Sequence, residues 1–291
     1  MAVTIATRRQ MLVFQRNEIT EHHIYKRLAD SVKNPENQKI LLDISEDELR
    51  HALIWKNLAH QEVGPNRIRI WLFYWIGRIF GFTFSIKLME RGEDSAQEAY
   101  ERLAGIVDGI DDIVRDENDH EVALIGLLDE DRLKYMGSIV LGLNDALVEL
   151  TGSLAGLTLA LRNSRLIALT GLIVGFAAAL SMGASEYLST KTEKESGRDP
   201  LKSSFYTGLA YIVTVAVLIL PFLTQSRPLF SLAMTLAAAL MIIALFNFYL
   251  SVARDEPFQA SFLEMAGVSL GVAAISFGIG YLVRVWLEVE V

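Results

Sequence analysis

The stretch EDELRHALIWKNL, residues 46–58, decides how the first half of this chain folds. It lies in a run, Glu36–Gln61, whose pattern predicts a helix, with Pro35 just ahead of it where a helix start accepts proline. Residues three apart on a helix share a face, so Glu48 and His51 point together. One Glu-x-x-His pair is a weak signal, because Glu is common and helices are many. The spacing returns as ENDH, Glu117–His120, in a second predicted helix over Ile110–Leu128.

Working outward, two further helices are expected. Residues 9–32 carry apolar positions at Leu12, Ile19, Ile24 and Leu28, and Asp94–Ala104 is also helical in pattern. No stretch alternates well enough to be a strand. Glu18 precedes the first pair on its own helix, and Glu90 and Glu93 precede the second. The order is a Glu helix, a Glu-x-x-His helix, a Glu helix and a Glu-x-x-His helix. Di-iron and di-manganese carboxylate bundles are built from this inventory: each ion takes a terminal His and Glu, and the two Glu of the paired motifs bridge. Glu18, Glu48, His51, Glu90, Glu93, Glu117 and His120 are therefore the candidate metal ligands. Mixed carboxylate and imidazole donors suit iron or manganese, and the sequence leaves the choice open. It also leaves open whether the bundle closes within one chain or across a dimer. His22, His23 and His60 lack the arrangement and are expected on a solvated face. Residues 90–131 hold 15 acidic and three basic residues, an acidity that faces solvent or attracts cations.

The second half has a different composition. Residues 1–135 hold 18 of the 27 Lys and Arg, 24 of the 35 Asp and Glu, and all five His. Beyond them lie five apolar segments, Ile139–Leu161, Leu166–Leu188, Phe205–Leu223, Leu229–Val252 and Phe262–Val285, each long enough to cross a hydrocarbon core of about 30 Å. Two domains follow, residues 1–134 and 135–291. With no cysteine, disulfides, iron–sulfur clusters and cysteine nucleophiles are excluded. A net charge of −8 argues against nucleic acid. The N-terminus lacks the apolar core of a signal peptide.

Basic residues orient the spans. Arg132, Lys134, Lys191, Lys194, Arg198 and Lys202 outvote Arg162, Arg165 and Arg227, which puts the N-terminal domain in the cytoplasm and the C-terminus outside. Small residues four apart, Gly152/Gly156, Gly171/Gly175 and Gly267/Gly271, allow close helix approach, most simply within one chain. Asp145 and Glu149 share one face of the first span, Glu186 follows Met182 in the second, and Glu264 is early in the fifth. Carboxylates in hydrocarbon are costly and mark ion paths, and no Lys or Arg lies deep in a span to neutralise Asp145. Glu186 and Glu264 equally suit the interface. Residues 66–93 are apolar but punctuated by Arg67, Arg69, Arg78 and Lys87, with Trp71, Phe73, Tyr74 and Trp75 among them. This pattern suits a crossover lying on the membrane or on a partner subunit and running into the third bundle helix, with a sixth span as the alternative.

On these residues the chain resembles two families. NEITEHHIYKRLA with Glu18 and Tyr25, EDELRHA, MERGED and RDENDHE make residues 8–131 similar to the rubrerythrin and ferritin-like superfamily. GLNDALVELTGSLAGL and SMGASEYLSTKTE make residues 135–286 similar to the vacuolar iron transporter family. Together they resemble the membrane-bound ferritins of prokaryotes. The resemblance implies an all-α protein, with a ferritin-like four-helix bundle holding a di-metal site and a five-helix transmembrane domain. It implies a homodimer in the inner membrane that exports Fe²⁺, or Mn²⁺, in exchange for protons, with Asp145, Glu149, Met182 and Glu186 along the path. The connector STKTEKESGRDPLKSS is too short for the Glu-rich insert of plant members, and no cysteine-rich tail supports peroxidase turnover. A membrane-anchored di-iron ferroxidase or peroxidase is the alternative, and a self-gating iron sensor is a third reading.

Overall fold

The computed structural model describes residues 5–91, 110–126, 135–193, 197–254 and 256–287. Among them every regular element is a helix. The chain divides into two compact units, Met1–Glu130 and Asp131–Val291.

The first unit begins with α1 (Ile5–Ala29) and α2 (Pro35–Ala59). Asn34 caps α2: its side-chain oxygen accepts from the backbone N–H groups of Glu36 and Asn37 at 2.8 and 3.4 Å, with Pro35 in the first turn. The helix ends at His60, which takes a left-handed φ of 53°. Asn66 caps α3 (Arg67–Phe80) in the same way, on Ile68 and Arg69. Gly81, at φ 103° and ψ 150°, separates α3 from α4 (Phe82–Glu90), a backbone conformation that glycine adopts without a Cβ penalty. The Ser85 hydroxyl folds α4 back by donating to the Phe73 carbonyl at 2.7 Å. Next comes α5 (Ile110–Gly126).

Among the described residues the unit has two apolar clusters. One joins Ile24, Tyr25 and Leu28 of α1 with Leu41 and Ile44 of α2, Ile70 of α3, and Ile86 and Met89 of α4. The other joins Met11 and Phe14 of α1 with Trp55 of α2 and Ile110 and Ile113 of α5. Fully buried aromatics such as Trp55 each stabilise by about 3–5 kcal/mol against truncation to Ala. The expected helix over Asp94–Ala104 lies outside the described residues. The crossover is two helices. At 14 residues α3 is about 21 Å long, short of the roughly 30 Å that a span needs.

The second unit is α6 (Met136–Leu161), α7 (Ser164–Thr192), α8 (Pro200–Thr224), α9 (Pro228–Arg254) and α10 (Phe258–Leu287). All five are long and apolar enough to cross a membrane. Asn163 caps α7, and Asp199 caps α8 ahead of Pro200. Their core runs from Ala146, Leu147, Leu150 and Leu154 of α6 through Ile167 of α7 to Tyr211, Leu218 and Phe222 of α8 and Ile243 of α9. Hydrogen bonds cross between helices: Thr207 Oγ1 to the Ser138 carbonyl at 2.9 Å, Thr235 Oγ1 to the Leu218 carbonyl at 2.8 Å, and Ser269 Oγ to the Leu147 carbonyl at 3.0 Å. Each contributes about 0.6 kcal/mol inside a bilayer.

Two of the three expected glycine pairs pack inside the chain. Gly152 and Gly156 meet Val272 and Ser276 of α10, while Gly171 and Gly175 meet Leu154, Ile219 and Val215. Among the described residues, nothing lies within 4 Å of where a Cβ would stand at Gly267 or Gly271. The tightest approaches among the described residues are at Gly280, where a Cβ would stand 2.1 Å from the Gly156 carbonyl oxygen, and at Gly142, where one would stand 2.2 Å from the Thr207 carbonyl oxygen.

Candidate metal centre

Glu18 comes from α1, Glu48 and His51 from α2, and Glu117 and His120 from α5. Glu18, Glu48, His51 and Glu117 each offer one ligand atom, and these atoms all lie within 4.8 Å of one another. Two ligands of one ion at about 2.1 Å are at most about 4.2 Å apart, so a shift of a few tenths of an ångström per ligand closes the set on a cation. His51 Nδ1 stands 3.7 Å from Glu18 Oε2 and 3.5 Å from both Glu48 Oε2 and Glu117 Oε1. His120 Nδ1 stands 3.3 Å from Glu48 Oε1 and 4.0 Å from Glu117 Oε2. Glu48 and Glu117 thus face both imidazoles, whose ring centres are 6.0 Å apart. Of Glu90 only the backbone is described, as the last residue of α4, and Glu93 lies outside the described residues.

The site is nearly dry. His51 is fully buried, Glu18 and Glu48 are almost so, and only Glu117 has appreciable exposure. The Nδ1 atoms of His51 and His120 and Oε2 of Glu48 are buried without a well-formed hydrogen bond among the described residues. Buried polar atoms normally have partners, and a cluster of such atoms aimed at one another fits a cation between them. Protons occupy the same set. Burial works against the His51 imidazolium, but Glu117, Glu18 and Glu48 overcome it and raise its pKa well above the ordinary range. Burial, followed by the charges of Glu117 and Glu18, pushes the Glu48 carboxyl well above its usual value.

Residues beyond the expected set hold these ligands. His51 Nε2 is 3.3 Å from Asp116 Oδ2, and His120 Nε2 is 3.1 Å from Asp47 Oδ2. An N–H donated from each Nε2 leaves Nδ1 to face the carboxylates. The pairing is crossed: each Asp precedes the Glu of one motif and supports the His of the other. Arg50 joins the two, with one nitrogen 2.5 Å from Asp47 and another 2.6 Å from Asp116. Burial opposes the Asp116 carboxylate, but Arg50 and His51 beside it hold it below its usual range. Trp55 Nε1 donates to Glu18 Oε1 at 3.3 Å. The signal for both aspartates stood in the sequence as Asp-Glu-x-x-His written twice, DELRH and DENDH. Nothing in the spacing tells that the partners cross.

The other histidines divide. His22 is buried, with Nδ1 2.7 Å from the Ser45 carbonyl, so it is a core contact between α1 and α2, not a residue of a solvated face. His23 lies beside it with ring centres 4.9 Å apart, its pKa lowered by burial and by the neighbouring charges of His22, Arg27 and Lys26.

In the second unit, Asp145 is half-buried and Glu149, one turn on, is exposed on the single chain and accepts from the Tyr211 hydroxyl at 2.8 Å. Met182 packs on the apolar core. Glu186 is buried, accepting from Ser138 Oγ at 2.6 Å and Thr190 Oγ1 at 3.3 Å. Arg198 reaches in from the connector to 3.7 Å from the same oxygen. Glu186 therefore has a cation beside it that no span supplies. Gly197 turns that connector at φ 60°, and the Asp199 N–H donates to the Tyr135 hydroxyl at 2.9 Å. Glu264 is exposed on α10.

No curated protein matches the chain. Residues 136–199, which hold Asp145, Glu149, Met182, Glu186 and Arg198, match the VIT (vacuolar iron transporter) family. Five membrane-length helices and that domain mark a multi-pass membrane protein, and the family suggests a transporter of metal ions.

Proposed function

We propose that the chain exports Fe²⁺, or Mn²⁺, across the inner membrane in exchange for protons, with a ferritin-like cytoplasmic domain that captures the ion first. The observation that carries this reading is a dry Glu18–Glu48–His51–Glu117 cluster on the same polypeptide as a VIT family domain. A resident metal pair would be held by Glu18, Glu48, His51, Glu117 and His120, with Glu90 or Glu93 completing the second ion's set. Such a pair supplies Lewis acidity and one-electron chemistry when bound. The chain's own groups do the rest. Asp47 and Asp116 fix the imidazoles, Arg50 holds both aspartates, and the enclosed carboxylates trade their protons for the cation.

In the membrane, Asp145 and Glu149 lie one turn apart and would take the cargo ion and release protons, with Tyr211 orienting Glu149. Met182 offers a soft donor, and Glu186 stands at the connector end beside Arg198. Exposure of Glu149 on a single chain supports a homodimer, because a second copy would shield a carboxylate that is costly in hydrocarbon. The test is uptake of Fe²⁺ by proteoliposomes given a proton gradient. Asp145→Ala should abolish uptake, and unchanged uptake would remove Asp145 from the path.

A second reading, a membrane-anchored ferroxidase, is favoured by the sharing of Glu48 and Glu117 between two imidazoles, the arrangement of a two-ion oxidising centre. Mixing the full-length protein with Fe²⁺ and O₂ separates the two. Oxidation that outpaces transport, and that survives Asp145→Ala, would favour the enzyme.

A further inference from the structure

Helix α3 presents an apolar stripe that stays exposed on the single chain. Ile68, Trp71, Leu72, Trp75 and Ile79 recur at helical spacing and are 79, 60, 46, 45 and 61 % exposed. The opposite face of α3, with Ile70, Phe73 and Gly77, packs into the unit. At about 100° per residue, Arg67, Tyr74 and Arg78 line one flank of the stripe and Arg69 the other. The helix contains three arginines and no acidic residue. Beside the stripe opens a cleft of about 450 Å³ lined by Arg27, Asp30, Ser31, Tyr74 and Arg78. Its two guanidinium groups outweigh the one carboxylate. The Ser31 hydroxyl is already donated to the Leu28 carbonyl at 2.7 Å, so the charge of the cleft rests on the arginines.

Two Trp side chains and flanking Arg on an amphipathic helix suit the headgroup layer, where the rings reach the acyl boundary and the charges stay wet. A second copy is a poor match. Two copies of α3 placed face to face would set Arg67 and Arg78 of each together, four guanidinium groups with no acidic residue on either helix, Arg69 being already paired with Glu21 at 3.5 Å. A bilayer, by contrast, is a surface that five apolar helices of the same polypeptide are long enough to cross.

We propose that α3 lies in the headgroup layer of an anionic membrane, with its Ile68–Trp71–Trp75–Ile79 stripe at the acyl boundary and the Arg27–Arg78 cleft on a lipid phosphate. This is independent of the transport reading and needs no metal. The absence of native cysteine allows a direct test. Trp75→Cys and, separately, Ile79→Cys carry a nitroxide on the full-length protein in lipid nanodiscs, with Lys39→Cys as the solvent control. In discs containing phosphatidylglycerol, labels at both stripe positions should be open to O₂ and shielded from a water-soluble nickel complex. Zwitterionic discs should leave them shallower. Arg27→Ala with Arg78→Ala should lower the docked-to-undocked ratio at least about tenfold. Nickel access equal to that of the Lys39 label would overturn the proposal. So would shielding accompanied by spin–spin broadening between labels, which would put a second copy on the face. Equal depth in both lipids, unmoved by the arginine substitutions, would overturn it as well.

Discussion

The crossed pairing of aspartates and histidines makes a sharp prediction. Asp116→Asn keeps the shape of the side chain beside His51 but removes the charge that its Nε2–H meets at 3.3 Å. Asp47→Asn does the same for His120 at 3.1 Å. Loss of such an outer partner costs about 10–100-fold in metal affinity, or about 1.4–2.7 kcal/mol. Asp116 should cost more than Asp47, because its side chain is 14 % exposed against 30 %. Arg50→Ala should cost less than either, under about 1 kcal/mol, since its guanidinium is half in water. The assay is anaerobic titration of the full-length protein in detergent with Fe²⁺ or Co²⁺ against a chelating dye. The wiring is read from a double-mutant cycle. In a His120→Gln background, Asp47→Asn should cost nothing further, while Asp116→Asn should keep its full effect. The reverse result, each Asp coupled to the His of its own motif, would refute the crossed geometry. Affinities within about twofold of the parent for both single variants would refute the supporting role itself.

Other outcomes follow from the same structure. Because the metal-free site holds its proton on His51 and raises the Glu48 carboxyl, cation binding should release protons, with apparent affinity rising with pH, measurable as buffer-dependent heats. His51 has a raised folded pKa, so its stabilising contribution is complete below the ordinary value of about 6.5 and fades as pH rises above it. Thermal melts of chelator-treated protein should therefore fall on the alkaline side. Gly142→Ala sets a methyl group on the Thr207 carbonyl and should destabilise the membrane unit by about 1–3 kcal/mol in denaturation by detergent exchange. Arg198→Ala strands the buried Glu186 charge, so it should lower the melting temperature more than Glu186→Gln does.

The start of α2 is legible because Pro35 marks it and its cap, Asn34, acts through neighbours within three residues. The start of α8 lies at Pro200, five residues ahead of the expected Phe205, because Asp199 caps a polar first turn that hydropathy alone does not mark. The spans were readable because about 20 apolar residues in a row have few other uses. Glu18, Glu48, His51, Glu117 and His120 could be singled out because a repeated spacing is a local signal for a tertiary meeting. The two-helix crossover turned on one glycine, Gly81, inside an apolar run where no charge marked the break. The approach of Arg198 to Glu186 was hidden for a different reason. It depends on the path of a connector folding back over a helix end, held by Gly197 and the Tyr135–Asp199 contact, and no periodicity records such a path. His22 departs from the expected solvated face because a histidine sealed against the Ser45 carbonyl and one on a wet surface look alike in sequence.

The exchange of partners between α2 and α5 also acts as a key for helix register. If α5 slipped by one residue, it would turn by about 100° and carry Glu117 and Asp116 away together. Both imidazoles would lose an orienting or facing carboxylate at that moment, since Glu117 faces both rings and Asp116 supports His51. The centre therefore tolerates no half-correct alignment of these two helices, and a cation held there is also a bolt through the domain.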